Sequence, residues 1–305
     1  GTYQAHSART RLLLLLCAWL LFWPLSVFSK ENGLIFPLLV LAISFYTTQH
    51  ASRPSISATA TAGAALAVAG ALLYWRFGLD WLDHGYQMRS FTMIERLMTE
   101  ARVVWFYAAQ ISLPSYSAFA LYLDHFPLSR GLLEPATTLA GVLGIGLALA
   151  VCLFGRAQWP VLGFAMAWFL IGHSMESSFI PLEIAHEHRN YLPSLGLLFG
   201  LAWLGSRLLQ QVKLDHPRIT ISMVAVFTLA YLAMLTWLRA EQSSSPIQSA
   251  QIEATRHPDS PRANHEAAIA LFKAGYGDLG DPMGAQNIRY YLEEAGKLDP
   301  KMKHA

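Results

Sequence analysis

The stretch IAHEHRNYLP, residues 184–193, stands between two long apolar runs of the sequence. It places two histidines, a glutamate and an arginine side by side: His186, Glu187, His188 and Arg189. Ionisable groups are costly near a bilayer and are usually retained there for a function. The pattern therefore predicts a loop at a membrane surface, and it makes these four side chains candidates for a functional site.

The composition outward from this stretch is that of an integral membrane protein. Of the 305 residues, 54% are hydrophobic and only 14% are charged, whereas soluble domains carry about 25% charged residues. Several apolar runs reach the roughly 20 residues that a helix needs to cross a bilayer. We therefore predict an all-α fold, a polytopic bundle of membrane helices. The net charge of +2 gives no indication of a nucleic-acid partner.

The hydrophobic pattern divides the chain into a transmembrane domain, residues 1–238, and a soluble tail, residues 239–305. It predicts seven spans, at 11–29, 33–48, 58–79, 136–155, 158–176, 191–208 and 219–238. An eighth span at 103–121 is the alternative, but seven spans put the arginines and lysines of the short loops on the cytoplasmic side. The N-terminus is then cytoplasmic, and in a bacterium the chain lies in the inner membrane. The tail faces the periplasm, as do the loops at 29–33, 80–135 and 177–190.

The other outside loops carry polar clusters of their own. In the first loop, Lys30 is placed to hold an anionic phosphate and Glu31 to orient it or a hydroxyl, although a solvated turn explains both equally well. A second cluster has the ligand types of a divalent-cation site, Mg²⁺ or Mn²⁺, and is also typical of the charged end of a span: Asp80, Asp83 and His84. A third is predicted to be a connection, with a lid or a substrate contact as alternatives: Asp124, His125, Arg130 and Glu134.

The opening cluster has three interpretations. His186 and His188 are possible zinc ligands, but no HExxH signature accompanies them. The planar guanidinium of Arg189 suits a phosphate, and either histidine can move a proton near neutral pH. We favour the anion site, and a hydrated loop without a function remains the third interpretation.

The tail contains two helical patterns, separated by a loop rich in Gly, Asp and Pro. Residues 261–300 are similar to a tetratricopeptide repeat, a helical pair of 34 residues, with a longer middle loop. The residues predicted to face one another are Ala267, Ala268, Leu271 and Phe272 on the first helix, and Ile288, Leu292 and Ala295 on the second. Because one such pair cannot bury its own apolar face, we expect further repeats or docking on the membrane domain. A protein partner could bind through this repeat.

These pieces together resemble the TMTC-type O-mannosyltransferases and their bacterial relatives in the GT-C superfamily. The resemblance lies in Ser29-Lys30-Glu31, the Phe126-Pro127-Leu128 loop, the run from Glu187 to Ser194, and the repeat-like tail. It implies transfer of a sugar from a polyprenyl-phosphate carrier to a protein or glycan acceptor outside the cytoplasm. It also implies that Lys30, Glu31, His186 and Arg189 bind the carrier phosphate, and that Glu187 and His188 are catalytic.

One departure from that family affects the catalytic carboxylate. GT-C enzymes place their main acid in the first outside loop, and this chain begins after the position where that loop would stand. We therefore expect the acid to lie outside these 305 residues, as in a truncated fragment, with Asp80 or Asp83 as the alternative base.

Two other functions fit the same sequence. An O-antigen ligase or polymerase would also use outside arginines and a histidine. A membrane-anchored scaffold would instead recruit partners through its repeat tail and would tolerate changes at Lys30 and Arg189.

Overall fold

The computed structural model describes residues 17–47, 56–77, 80–116, 120–212, 216–277 and 281–299. Within these ranges every regular element is a helix and there is no strand, which agrees with the all-α prediction. The twelve α-helices of the described residues are α1 (Trp23–Ser29), α2 (Phe36–Thr47), α3 (Ile56–Phe77), α4 (Asp80–Gln87), α5 (Met93–Ser112), α6 (Thr137–Phe154), α7 (Pro160–His173), α8 (Tyr191–Gln211), α9 (Pro217–Gln242), α10 (Pro246–Arg256), α11 (Pro261–Lys273) and α12 (Pro282–Leu298). A π-helical turn, Ala18–Phe22, precedes α1, and 3-10 turns, Glu31–Ile35 and Glu187–Asn190, precede α2 and α8.

Three segments are long and apolar enough to cross a membrane: Thr137–Phe154, Glu187–Gln211 and Pro217–Gln242. They indicate a membrane protein, and they correspond to three of the seven predicted spans. The predicted spans at 11–29, 33–48 and 158–176 contain apolar helices that are shorter, of 10–17 residues. Residues 11–16, 48 and 78–79 of the predicted spans lie outside the described ranges. The count of seven spans therefore stays a prediction.

Helices α7 and α8 approach each other closely because glycines stand at their contact. A Cβ atom on Gly196 would lie 2.7 Å from the carbonyl oxygen of Ala165, and one on Gly172 would lie 2.8 Å from the ring of Pro193. Small residues at such contacts are how membrane helices gain packing. In α3, by contrast, a Cβ on Gly63 or Gly70 would have no described atom within 4 Å.

Helix α5 forms the core of the region between the third and fourth predicted spans. It begins with a capping box, in which the Thr92 side chain accepts from the Glu95 amide and the Glu95 carboxylate accepts from the Thr92 amide. Such a cap satisfies two donors at the helix start. The helix ends at Ser112 and the backbone leaves the helical region at Leu113, so α5 does not extend across the alternative span 103–121. Its buried face presents Val103 and Tyr107, which pack against four loop residues: Ala120, Leu123, Ile184 and Ala185.

Each tail helix starts with a side-chain cap followed by proline: Ser245-Pro246, Ser260-Pro261 and Asp281-Pro282. The capping oxygen satisfies a free amide, and proline needs no donor at the first position. A third helix, α10, packs against the predicted pair. The predicted inner residues that are buried are Ala267, Ala268, Leu271 and Ala295. The prediction was wrong for Phe272, which is 72% exposed, and for Leu292, which is 43% exposed.

Candidate functional site

A buried arginine organises the loop that precedes α8. Arg96 of α5 is 0% exposed and pairs with Glu100 one turn later, at 2.8 Å between Nη2 and Oε1. The same guanidinium donates to four backbone carbonyls of that loop, those of Glu176, Ser178, Leu182 and Glu183. Segment 176–183 is therefore folded around this side chain.

Burial dominates the electrostatics of this pair. It raises the pKa of Glu100 to about 7 and lowers the pKa of Arg96, although each partner opposes the shift of the other. Taking a charge out of water costs several kcal/mol, and a nearby opposite charge recovers only part of that free energy. The pair therefore defines a loop conformation and is not a source of large net stability.

Arg189, the predicted phosphate ligand, points inward in this structure. Its Nε lies 2.8 Å from Oε2 of Glu176, and both side chains are 6% exposed. Its Nη1 donates to the carbonyls of Glu183 and Ile184. Asn32 donates to the other oxygen of Glu176 at 2.6 Å, so the turn between α1 and α2 does meet the 177–190 loop, through Asn32. Lys30 and Glu31 themselves are exposed, and their predicted phosphate contacts stay predictions.

The remaining residues of the opening stretch have different neighbours. The Glu187 carboxylate accepts from the Ala120 amide at 2.6 Å and lies 3.8 Å from Arg239 at the end of α9. His186 and His188 have their Nδ1 atoms 2.9 Å apart, so one ring donates to the other. The hydroxyl of Tyr107 bridges the backbone N–H and carbonyl of His186. The catalytic roles of Glu187 and His188 stay predictions.

The tail is attached to this loop system through side chains. Asp124 accepts from the Ser260 hydroxyl at 2.6 Å and from the Arg262 amide at 3.1 Å, at the start of α11. Arg262 in turn donates to the Glu183 carboxylate at 2.7 Å. The start of α11 therefore contacts the two loops that carry Asp124 and Glu183, whereas the assignment of the tail as a tetratricopeptide repeat stays a prediction.

A cavity of about 490 Å³ lies where the two loops and the tail meet. Its wall includes residues 88–91, 121–124 and 183–186, and residues 259, 261, 262, 298 and 299 of the tail. The apolar part of the lining includes Phe91, Tyr122 and Phe126. His186 is a lining residue, and the next residue, Glu187, begins the membrane-length segment Glu187–Gln211. The cavity therefore opens at the end of a candidate membrane helix.

The charged lining of this cavity is mostly acidic. Two arginines, Arg89 and Arg262, face four carboxylates: Asp124, Glu183, Asp259 and Asp299. Arg262 is paired with Glu183, whereas Arg89 donates only its Nε, to the Pro181 carbonyl at 3.0 Å, among the described residues. Such a lining suits a ligand with many hydroxyl groups better than a free polyanion, because carboxylates accept hydroxyl donors and repel anions.

The predicted acid or metal cluster takes no part in the cavity. Asp80, Asp83 and His84 are exposed on α4, and His84 Nδ1 lies 2.8 Å from the Asp80 carbonyl. Across the described ranges, no group of three or more His, Cys, Asp or Glu side chains is arranged to hold a metal ion. The arrangement therefore does not fit the predicted Mg²⁺ or Mn²⁺ site, nor a zinc site at His186 and His188.

Three arginines important to this geometry were missed from sequence: Arg89, Arg96 and Arg262. The i, i+4 spacing of Arg96 and Glu100 is visible in the sequence. Such pairs usually lie on the surface of an amphipathic helix, whereas this pair lies beside an apolar face, which could have indicated that it is buried. No comparable signal distinguishes Arg89 or Arg262. Comparison with known proteins adds no assignment, since no family model, curated protein or solved structure matches this chain.

Proposed function

We propose that the protein is a membrane glycosyltransferase, or part of one, that moves a sugar from a polyprenyl-phosphate carrier to a protein or glycan acceptor. The observation that carries the proposal is the acidic, aromatic-lined cavity at the end of a candidate membrane helix. A carrier whose chain lies in the bilayer would present its phosphate-linked sugar at this depth. The resemblance to the GT-C superfamily supports the same assignment.

The lining supports a division of roles. Carboxylates such as Asp124 and Glu183 would accept hydrogen bonds from sugar hydroxyls, and the aromatic rings would pack on the ring faces. Arg89, with its terminal nitrogens unpartnered among the described residues, would bind the carrier phosphate in place of Arg189, the ligand predicted from sequence. A guanidinium there would stabilise the charge that develops on the leaving phosphate.

In the transfer itself, the acceptor oxygen would bond to the anomeric carbon while the bond from that carbon to the phosphate oxygen breaks. The hydroxyl proton must then pass to a base. Burial, reinforced by the neighbouring His188, lowers the pKa of His186, so its ring is neutral at pH 7 and able to accept a proton. No step is assigned to a metal ion.

The membrane orientation belongs to the same proposal. With the N-terminus cytoplasmic, the cavity and the tail would face the periplasm of a bacterial inner membrane. Lipid-linked sugars used outside the cytoplasm are presented on that side of the bilayer.

Binding of a polyprenyl-phosphate-linked hexose to the full chain in detergent tests this function. We expect Arg89→Met and Glu183→Gln each to weaken binding about tenfold or more, because each removes a charge-assisted hydrogen bond. Arg130→Met is the matched control, since Arg130 is 54% exposed and pairs with Glu95 on the surface. Equal binding by all four proteins, or no binding by any, would contradict the proposal.

A scaffold function is the second candidate, and exposed apolar side chains on the tail favour it. Phe272, Met283 and Tyr290 are 72%, 74% and 58% exposed, a pattern typical of surfaces that bind another protein. If the protein is a scaffold, Phe272→Ser and Met283→Ser would abolish binding of its protein partner, whereas Arg89→Met would leave that binding intact.

A further inference from the structure

A short segment of the chain lies in a groove of the tail. This strap, residues 120–124, passes between the loop that precedes α8 and the helices α10 and α11. It is anchored in the core beside α5, because Ala120 and Leu123 are buried there at 1% and 7% exposure. Between them Tyr122 turns the other way and packs on three buried alanines of the tail, Ala254, Ala263 and Ala267.

The groove recognises the backbone of the strap as well as a side chain. The Leu121 amide donates to Oε1 of Glu253, a tail carboxylate that is only 1% exposed. The second oxygen of Glu253 is buried without a hydrogen-bond partner among the described residues. Hydrogen bonds to the main chain give affinity for extended peptides, and any residue except proline can supply the amide donor that Glu253 accepts. Arg262 lies over the Tyr122 ring, 4.9 Å from its centroid, and closes the contact.

The strap leaves part of the groove open. A space of about 280 Å³ continues beside Leu121 and Tyr122 and is lined by residues that include Ser249, Glu253, Glu266 and Lys273. Leu121 and Tyr122 also line the 490 Å³ cavity on their other side. The strap is thus the partition between the proposed sugar site and the tail groove.

We propose that this groove is a binding site for an extended polypeptide and that the strap occupies it as an internal competitor. The incoming chain would place an aromatic or aliphatic side chain on the three alanines and donate a backbone amide to Glu253. Displacement is local, because only Tyr122 and the Leu121 amide leave the groove. Ala120 and Leu123 stay in the core, and Asp124 keeps its hydrogen bonds to Ser260 and Arg262. This inference concerns a partner class and goes beyond the sugar site itself.

The test uses the full chain in detergent and a fluorescent synthetic peptide with the chain's own sequence YSAFALYLDHF, residues 116–126. No sugar donor is present, so the result does not depend on the proposed transfer. We expect Tyr122→Ser to raise peptide affinity about tenfold or more, since the internal competitor is weakened. Tyr122→Phe is the matched control and keeps wild-type affinity, because the ring that packs on the alanines is retained.

A second substitution assigns the binding to the groove. Adding Glu253→Gln to the Tyr122→Ser variant removes the carboxylate and is expected to reverse most of the gain. Thermal melting of each variant identifies any that fails to fold, and Leu121→Gly, which loosens the strap without changing the tail, then replaces Tyr122→Ser. Peptide affinity that is the same in wild type and in the folded strap variants, or a gain that survives Glu253→Gln, overturns the proposal.

Discussion

Removing Arg96 should destabilise the protein more than any substitution at an exposed ion pair. At pH 8, above the pKa of about 7 of Glu100, the Arg96→Met variant leaves Glu100 without its paired cation. It also leaves three loop carbonyls with no donor, those of Glu176, Ser178 and Leu182. Breaking a buried pair by removing one partner costs about 3–5 kcal/mol. The attraction itself, at 2.8 Å and an effective dielectric constant of about 20, is roughly 6 kcal/mol before desolvation is subtracted.

The double substitution Arg96→Met/Glu100→Met separates the pair from the carbonyls. Because the double variant leaves no uncompensated charge, its loss should be smaller than the sum of the single losses. We expect a coupling free energy of about 2–3 kcal/mol. The assay is equilibrium unfolding in mixed detergent micelles, followed by tryptophan fluorescence.

The chain supplies its own control pair. Arg289 and Glu293 have the same i, i+4 spacing on α12, but they are 3.6 Å apart and 81% and 62% exposed. Their coupling should stay below about 0.5 kcal/mol, because water screens an exposed pair. Equal coupling at the two pairs, or none at Arg96 and Glu100, would refute the argument that burial makes this pair specify the loop.

Three further predictions concern single positions. Burial raises the pKa of Glu100 from 4.5 to about 7. Between these pH values the folded protein keeps a proton that the unfolded chain loses, so stability should fall as pH rises. Glu100→Gln should flatten this slope in unfolding midpoints taken from pH 4.5 to 7.5, and an unchanged slope would assign it to another group. Gly33→Ala should destabilise the protein by about 1–3 kcal/mol, because its Cβ would lie 2.6 Å from the backbone of Ser26 and Val27. The control Gly63→Ala has no described atom near its Cβ and should be neutral or slightly stabilising. Equal melting temperatures of the two variants would contradict the turn geometry. Ser260→Ala removes both the cap of α11 and the hydrogen bond to Asp124 and should lower the free energy of unfolding by about 1–3 kcal/mol. Limited proteolysis should then cleave the tail faster than in the wild type. Unchanged digestion would be the contrary result.

The general class of the fold follows from the sequence, because long apolar runs and low charge leave helices as the available membrane-spanning element. The number of spans does not follow as simply. Segments such as Pro160–His173 are apolar but short, and hydropathy alone cannot separate a span from a buried helix of that length.

The contacts between the loops could be predicted from sequence only in part. The turn at 29–33 does meet the segment before α8, through the hydrogen bond from Asn32 to Glu176. The direction of each side chain was not predictable. Arg189 was expected to bind a phosphate, yet it turns inward, toward Glu176 and two carbonyls of the loop that Arg96 holds. A long-range contact of this kind has no periodic signal in the sequence.

The tail gives a similar result. Helical periodicity identified Ala267, Ala268 and Leu271 as inward-facing, and they are buried. It also placed Phe272 inward, whereas this ring is 72% exposed. The role of Arg262, at the first turn of α11, depends on contacts with Glu183 and Tyr122 that lie far away in sequence.

Photo-crosslinking would show whether the 490 Å³ cavity takes the head group of a lipid-linked sugar. A polyprenyl-phosphate hexose with a photoreactive group on the sugar would be illuminated with the full chain in detergent, and the labelled peptides would be identified by mass spectrometry. We predict labelling within residues 88–91, 121–124 and 183–186, reduced by excess unlabelled carrier and by Arg89→Met. Labelling confined to the exposed face of α12, or labelling that unlabelled carrier does not reduce, would contradict the account.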